Sequence, residues 1–379
     1  MIEHHLKWAP LCETLPGPMF MGETASNRLG RYDFHHCDLI VDWCLAHGIK
    51  VKGHVLVWHV TSPSFLVDLT PEELREQLRR HIYTVMGHFR GRISIWDVVN
   101  EALAPDGTLA QNIFYQKLGP SYIDDSFRWA HDADPNAFLI YNDNKVEGCG
   151  LMPECRSKKA DAFYNLLKGM KERGVPVHGA GMQAHFNAAG TGLSQPPTPR
   201  SVKAQIRRLG NLGLRVNLSE MDVRIGKGLL LPKSMQECAQ RQIYHDIIAS
   251  ALTEPSFDGV WFWGVTDRHS WVYDFYNTKQ DESNEDPLPL LFDRDYNKKD
   301  SAYGAVRDAL NTLTVHGRVG GNVLLGTCFV GIFSFFVNPI TSQGKVFKLK
   351  QSFPTIFQIL ITTLTVVRGV SHGLQLREI

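Results

Sequence analysis

The sequence lacks the short motifs that mark nucleotide-binding and cysteine-based sites. It has no GxGxxG after a predicted strand and no GxxxxGK[ST], the two glycine-rich loops that hold phosphates. No CxxC pair is present, which argues against a zinc ribbon or a thioredoxin-like site. No internal repeat with a fixed period is visible either. These absences argue against the nucleotide-binding, zinc-ribbon and thioredoxin-like classes. They leave an enzyme or binding protein whose site must be sought among its other side chains.

An excess of charge of one sign is also missing. The 40 Lys and Arg against 39 Asp and Glu give a net charge of +1, so no overall field favours nucleic acid. Six of these basic side chains and one acidic side chain lie in residues 314–379, so the body is mildly acidic and the tail basic. Seven cysteines, an odd number, give no closed disulfide framework. Met1 is not followed by the pattern of a secretion signal.

Residues 1–313 alternate between short β-rich runs and longer amphipathic stretches. The predicted strands are Ile2–Lys7, Lys50–Trp58, Ile93–Glu101, Ala137–Asp143, Val175–His185, Arg215–Val223 and Asp258–Asp267. The predicted helices are Cys37–His47, Pro71–Phe89, Ser157–Arg173, Arg200–Leu212 and Met235–Leu252. The second helix has a strong start, with Thr70 as N-cap and Pro71 in the first helical position. A strand–helix–strand rhythm predicts parallel βαβ units.

Polar and aromatic residues crowd the carboxyl ends of the predicted strands. In a (β/α)8 barrel these ends form one rim where active sites lie, whereas a doubly wound sheet would gather only two or three of them. We therefore predict an α/β protein with a (β/α)8 TIM barrel over residues 1–313 and an atypical basic and apolar tail over 314–379, outside the barrel. Only seven strands are found, one fewer than such a barrel has, and we expect the first strand and helix to be the missing unit. We expect the coding sequence upstream to contain them, together with a secretion signal.

Two carboxylates at predicted strand ends are the main candidates for chemistry. Glu101 closes the segment Trp96–Ala102 beside Asn100, and Glu220 lies in Leu218–Asp222. Glycoside hydrolysis uses such a pair, and a separation of ~5–5.5 Å gives retention of configuration. Either glutamate alone could instead be a solvated or ion-paired acid. A metal site built from His54, His59 and His185 is a further alternative, although no HExxH spacing supports it.

Eight motifs in order make the sequence resemble glycoside hydrolase family 10, the endo-1,4-β-xylanases. The resemblance extends over residues 3 to about 310, and its motifs are HLKW at His5–Trp8, GHVLVWH at Gly53–His59, WDVVNEA at Trp96–Ala102, YND at Tyr141–Asp143, GMQAH at Gly181–His185, LSEMD at Leu218–Asp222, WGVTDRHSW at Trp263–Trp271 and PLLFD at Pro289–Asp293. Each motif alone is weak. Their shared order and spacing carry the resemblance.

The resemblance implies a role for each matching residue. Glu101 would be the acid/base and Glu220 the nucleophile. Asn100 would contact both the 2-hydroxyl of the reacting sugar and the nucleophile, and His185 and Asp222 would complete a hydrogen-bonded set around Glu220. The residues lining the sugar site would be His54, Trp58, Gln183, Trp263 and Trp271. Glu3 and Lys7 would contact sugars on the non-reducing side, and no metal or other cofactor is implied.

The expected function is endo-acting hydrolysis of β-1,4-xylosidic bonds in xylan by a retaining double displacement. The expected partner is this neutral polysaccharide and not nucleic acid, and the family resemblance implies an extracellular monomer. Two alternatives keep the cleft: a carbohydrate-binding barrel with impaired catalysis, and another β-1,4-glycanase. A third is a membrane-attached protein, because the tail contains the uncharged stretches 319–344 and Gln351–Val367.

Overall fold

The computed structural model describes most of the predicted barrel and two short segments of the tail. The described residues are 8–9, 32, 34–150, 156–188, 195–226, 232–273, 287–315, 323–324 and 366–368. Within these ranges, short strands alternate with helices in the rhythm that the sequence predicts.

Ten strands and eight α-helices lie in the described part of the chain. The strands are β1 (Trp8–Ala9), β2 (Lys52–Val57), β3 (Ile95–Asn100), β4 (Phe138–Asp143), β5 (Gly179–Met182), β6 (His185–Asn187), β7 (Arg215–Arg224), β8 (Phe257–Phe262), β9 (Val323–Leu324) and β10 (Val366–Arg368). The helices are α1 (His35–Ala46), α2 (Pro71–Phe89), α3 (Ile113–Leu118), α4 (Ser121–Ala133), α5 (Lys158–Glu172), α6 (Pro199–Gly210), α7 (Lys233–Ala251) and α8 (Ala305–Val315).

Seven strands run parallel and side by side, in the order β1-β2-β3-β4-β5-β7-β8. The short strand β6 also pairs in parallel with β7 and places His185 opposite Asp222. Neighbouring strands are connected through helices, so the sheet curls as part of a barrel with helices on its outside. The fold is thus a (β/α)8 TIM barrel without its N-terminal part, as predicted, and the carboxyl ends of its strands share one rim.

The sheet is covered on both faces, as parallel sheets usually are. All six residues of β2 are buried, and so are eight consecutive residues of β7. The backbone of β2 approaches β3 so closely that a Cβ atom on Gly53 would lie 2.0 Å from the ring of Trp96. Only glycine can therefore occupy position 53 without displacing this buried tryptophan.

Helix α2 begins at the residue predicted from its sequence. The Thr70 hydroxyl accepts the Glu73 N–H at 3.2 Å, and the Glu73 carboxylate accepts the Thr70 N–H at 2.8 Å. This capping box satisfies two backbone donors at the start of the helix. The helix then buries one apolar face, formed by Leu74, Leu78, Ile82, Val85, Met86 and Phe89.

The structure differs from the sequence-based prediction at three points. The strand predicted to include Glu101 ends at Asn100. The stretch predicted as one strand, Val175–His185, is divided into β5 and β6 because the chain turns at Ala184, whose φ is +63°. Helices α3, α4 and α8 were not delimited from the sequence. The predicted strand Ile2–Lys7 lies outside the described residues.

Two segments of the predicted tail extend the sheet beyond β8. Strand β10 pairs antiparallel with β8, with Val366 opposite Val260, and also with β9. The domain boundary at residue 313 stays a prediction. Among the helices that the structure describes, none is long and apolar enough to cross a membrane. Most of the tail lies outside the described residues.

Candidate active site

The predicted site residues that the structure describes gather at the carboxyl-end rim. They are His54, Trp58, Asn100, Glu101, Gln183, His185, Glu220, Asp222, Trp263 and Trp271. Glu3 and Lys7 lie outside the described residues, so their contacts with sugars stay predictions.

Glu101 follows β3 in a left-handed backbone conformation, with φ of +55°. Its N–H donates to the carbonyl of Asn142 at 3.0 Å, across the gap to β4. A left-handed conformation costs a non-glycine residue roughly 1–3 kcal/mol, and it persists only where the surrounding structure holds it. This backbone turn sets the direction in which the Glu101 side chain leaves the end of β3.

Two uncharged groups hold the Glu101 carboxyl group. The indole of Trp58 donates to Oε2 at 3.1 Å, and the side-chain amide of Gln183 donates to Oε1 at 2.8 Å. The two donors come from the ends of β2 and β5, on either side of β3. The hydrogen bond of Trp58 favours its predicted place in the site over a purely structural role in the core.

Glu220 lies inside β7 and is only 4% exposed. The amide of Asn142 donates to its Oε1 at 2.6 Å, and Nε2 of His185 lies 3.0 Å from its Oε2. The other ring nitrogen of His185 lies 2.9 Å from Oδ2 of Asp222. The imidazole is thus held between two carboxylates, because the pairing of β6 with β7 places it there.

His185 carries a positive charge at neutral pH. Burial alone would lower its pKa, but the charges and hydrogen bonds of Asp222 and Glu220 raise the pKa to about 10. An imidazolium donates from both nitrogens, which matches its two carboxylate partners. The charged ring therefore offsets much of the cost of burying two carboxylates together.

Asn142 connects the two halves of the site. The Ser219 hydroxyl donates to Oδ1 of Asn142 at 2.5 Å, and the contact with the Glu220 carboxylate, which can only accept, fixes which way the amide points. Its nitrogen then donates to Glu220 and, at 2.9 Å, to Oδ1 of Asn100. Gln183 donates to the same Asn100 oxygen at 3.2 Å. A continuous chain of amides thus joins Glu220 to Glu101.

The sequence-based interpretation did not assign this role to Asn142. The resemblance implies that Asn100 contacts the nucleophile, whereas in the structure the amide that donates to Glu220 belongs to Asn142. Asn100 is linked to Glu220 through Asn142, because its oxygen accepts from the amides of Asn142 and Gln183. The available signal was the place of Asn142 at the end of β4, next to the strand that precedes Glu101.

Two of the remaining sugar-site candidates, His54 and Trp271, are anchored to buried carboxylates, and Trp263 packs beside histidine rings. Nδ1 of His54 lies 2.9 Å from Oδ2 of Asp97, which also pairs with Nζ of Lys52 at 2.6 Å. The Trp271 indole donates to Oδ2 of Asp222 at 2.8 Å. The ring centroid of Trp263 lies 5.3 Å from that of His54 and 6.4 Å from that of His185. An aromatic wall therefore stands beside the carboxylates.

The histidines do not form the alternative metal site. His54 is hydrogen-bonded to Asp97, and both nitrogens of His185 face carboxylates as donors. A protonated imidazole has no lone pair for a metal. Across the described ranges, no three His, Cys, Asp or Glu side chains are arranged to hold a metal ion.

Two carboxylates joined through amides at the rim of an α/β barrel define a site typical of glycoside hydrolases. Residues 18–309 match the model of glycosyl hydrolase family 10. The chain is 35% identical over 299 residues to endo-1,4-beta-xylanase B of Thermotoga neapolitana, covering 78% of this chain and 79% of the relative. It is 35% identical over 285 residues to a beta-1,4-xylanase of Dictyoglomus thermophilum, covering 73% and 76%.

Solved structures agree with these relatives. The native xylanase 10B from Thermotoga maritima has a TM-score of 0.67 and 36% identity, covering 76% of this chain and 83% of that chain. Xylanase 10B from Thermotoga petrophila, solved with xylobiose, has a TM-score of 0.66 at 36% identity, covering 75% and 81%. The chain belongs to glycosyl hydrolase family 10.

Proposed function

We propose that this protein is an endo-1,4-β-xylanase that hydrolyses xylan with retention of configuration. The observation that carries the proposal is the difference between its two rim carboxylates. Glu220 is buried against a charged imidazolium, and Glu101 is held by two uncharged donors. The named xylanases among its relatives support xylan as the substrate.

In the first step, an oxygen of Glu220 bonds to the anomeric carbon of the sugar. The bond from that carbon to the leaving sugar breaks, and its electron pair goes to the leaving oxygen, which takes the proton of Glu101. The imidazolium of His185 and the amide of Asn142 hold the two oxygens of Glu220 in position for this attack. The products are a glycosyl-enzyme and a shortened chain.

In the second step, the Glu101 carboxylate removes a proton from water while the water oxygen bonds to the anomeric carbon. The bond to Glu220 breaks and returns its electron pair to the carboxylate. Both residues end in their starting forms, and two inversions give net retention. The uncharged donors Trp58 and Gln183 hold Glu101 in place through both of its roles.

The other polar groups of the site are assigned to sugar recognition. The Asn100 oxygen accepts from two protein amides, so its own amide nitrogen is the group suited to donate to a sugar hydroxyl. The rings of Trp263 and Trp271 offer apolar faces for pyranose rings. His185 acts by orienting Glu220, and Asp222 acts by orienting His185.

The test is the release of reducing ends from xylan by the full chain and by its Glu220→Ala variant. We expect the variant to lose activity by at least ~10⁴-fold, because the glycosyl-enzyme can no longer form. Carboxymethyl cellulose is the comparison substrate that separates a xylanase from another β-1,4-glycanase. Proton NMR of the first-formed products distinguishes retention from inversion.

Glu254→Ala is the matched control, because Glu254 is also 4% exposed but pairs with Arg207 on the outside of the barrel. Its activity per folded molecule should stay within about threefold of the parent chain. A parent chain that binds xylan without cleaving it would contradict the proposal and favour the catalytically impaired barrel. Equal activity in the parent and Glu220→Ala chains would also contradict it.

We also propose an extracellular location. Cys149 is disulfide-bonded, and disulfides are typical of oxidising compartments. Alkylation of Cys149 only after reduction, followed by mass spectrometry of the secreted protein, tests this assignment. Ready alkylation without a reductant would contradict it.

A further inference from the structure

We propose that Asp143 is a positioning residue for the acid/base Glu101, and that Lys159 keeps Asp143 in the form that does so. The proposal rests on the proposed function, because it concerns how the proton donor is held. Asp143 is the last residue of β4, at the carboxyl end of that strand. Neither it nor Lys159 is among the residues to which the resemblance assigns a role.

The Asp143 carboxylate is fully buried and receives four donors. Its Oδ2 accepts the Leu103 N–H at 3.2 Å and the Tyr141 hydroxyl at 2.6 Å. Its Oδ1 accepts the Asn144 N–H at 2.8 Å and lies 2.7 Å from Nζ of Lys159. Only an ionised carboxylate can accept from all four donors at once.

One of these contacts, together with a backbone bond to Asn142, fixes the backbone on either side of the Glu101 side chain. The Glu101 N–H is bound by the carbonyl of Asn142, and the N–H two residues later, at Leu103, is bound by Asp143. Between these two points the chain adopts the left-handed turn at Glu101. Loss of the second bond would let this turn relax, since the left-handed conformation is intrinsically unfavourable.

Asp143 also positions the side chain that binds Glu101. Its backbone carbonyl accepts the Gln183 N–H at 3.1 Å, and the Gln183 amide donates to Oε1 of Glu101 at 2.8 Å. The same residue therefore orients the acid/base through its backbone and through its hydrogen-bond partner. A displacement of 1 Å at a reacting group is enough to slow a reaction markedly.

Lys159 supplies the charge that this arrangement needs. Burial raises the pKa of Asp143, and the ammonium group of Lys159 opposes that shift. Lys159 is only 4% exposed, reaches in from α5, and also donates to the Asn144 side chain at 2.9 Å. Without it, a protonated Asp143 would present a hydroxyl to one of its N–H donors.

The experiment compares two xylobiosides that differ only in the leaving group. Phenoxide needs a proton to leave, whereas 2,4-dinitrophenoxide leaves without one, and kcat/KM reports the first bond cleavage for both. In Asp143→Asn, the amide nitrogen faces two of the four donors in either orientation. We expect kcat/KM to fall ~30-fold or more on phenyl β-xylobioside and by less than about threefold on the dinitrophenyl substrate.

Lys159→Met removes the ammonium group that contacts the same carboxylate. It should also lower kcat/KM more on the phenyl than on the dinitrophenyl substrate, with a smaller loss than Asp143→Asn. Asp267→Asn is the matched control, because Asp267 is also fully buried beside a lysine, with Nζ of Lys299 at 2.8 Å. It should leave the ratio between the two substrates unchanged. Circular dichroism checks that each variant is folded.

Equal losses on both substrates in Asp143→Asn and Lys159→Met would assign the pair to stability and overturn the proposal. Loss of folded protein in both variants would overturn it in the same way. A parent chain that cleaves neither xylobioside would instead refute the proposed function. Failure of the positioning role and failure of the xylanase assignment are therefore distinguishable.

Discussion

The hydrogen-bond partners of each carboxylate suit the role proposed for it. Glu220 must be ionised when the sugar arrives, and it has a charged imidazolium and an amide as donors. Glu101 must give up and regain a proton, and its donors are uncharged. The same residue type can therefore serve opposite roles because the neighbouring residues differ.

Asn142→Ala should slow the attack of Glu220. The substitution removes a donor to a buried carboxylate, and hydrogen bonds to charged groups contribute about 1.5–3 kcal/mol, which corresponds to roughly 10–150-fold in kcat/KM. It also removes one of the two amide donors that hold the Asn100 oxygen. Steady-state kinetics on 2,4-dinitrophenyl β-xylobioside measure the effect, because this substrate does not depend on the acid.

Asn217→Ala is the control for this substitution. Asn217 lies on the same strand as Glu220 and is fully buried, and its amide atoms have no hydrogen-bond partner among the described residues. Its kcat/KM should stay within about threefold of the parent value. A comparable loss of kcat/KM in both variants would show that removing any buried amide from the barrel slows the reaction. The bond from Asn142 to Glu220 would then not explain the effect.

The charge on His185 should make the free energy of unfolding depend on pH in the alkaline range. Its pKa is about 10 in the folded chain and about 6.5 when unfolded, so the folded state alone holds this proton between these values. Its contribution is therefore complete below pH 6.5 and is lost as the pH rises toward 10. We expect the free energy of unfolding to fall by up to ~1.4 kcal/mol per pH unit from this group.

Urea unfolding of the parent chain and of His185→Asn, from pH 7.5 to 10, measures this dependence. The difference between the two chains isolates the contribution of His185 from that of other titrating groups. Parallel curves for the two chains across this window would mean that the imidazole is neutral in the folded protein.

At the scale of elements, much of the barrel could be predicted from the sequence. Strands β2, β3, β4 and β7 are continuous buried runs ended by polar residues, and α2 carries its own start signal in Thr70 and Pro71. The left-handed turns at Glu101 and Ala184 could not be predicted, because neither residue type prefers that conformation. They arise from tertiary hydrogen bonds to β4 and to the buried Glu147.

The site was predictable to a similar degree. The carboxylates could be found because each closes or interrupts a strand, and barrel topology brings strand ends together. The role of Asn142 could not be found, because it depends on the packing that brings its amide nitrogen against the Glu220 carboxylate. Hydrogen-bond direction within a cluster of amides is a property of the packed structure and not of the local sequence.

Thr70→Ala should weaken the start of α2. The substitution removes the hydroxyl that accepts the Glu73 N–H, and loss of an N-cap costs about 1 kcal/mol, within a range of 0.5–2. Urea unfolding should show this loss at unchanged m-value. Thr312→Ala, at an exposed position in α8, is the control and should change stability by less than ~0.5 kcal/mol.

At the scale of the whole molecule, the seven parallel strands that the structure describes form a curved sheet with β1 at one side and β8 at the other. Within the described residues, β1 pairs on one side only, with β2, and the far side of β8 pairs with the tail strand β10. An unpaired edge presents free backbone groups to other chains. The tail strands therefore cover the far edge of β8.

Ending the chain after Val315 should expose this edge. The shortened chain loses the pairing of β10 with Gly259 and Val260, so we expect a lower unfolding midpoint and association that increases with protein concentration. Light scattering and thermal unfolding of both chains measure these effects. Activity per folded monomer should persist, because Glu101 follows β3, Glu220 lies on β7, and neither binds a tail residue among those described. Identical behaviour of the two chains would show that the tail contributes nothing to the sheet, and residues 1–313 would then be the folding unit.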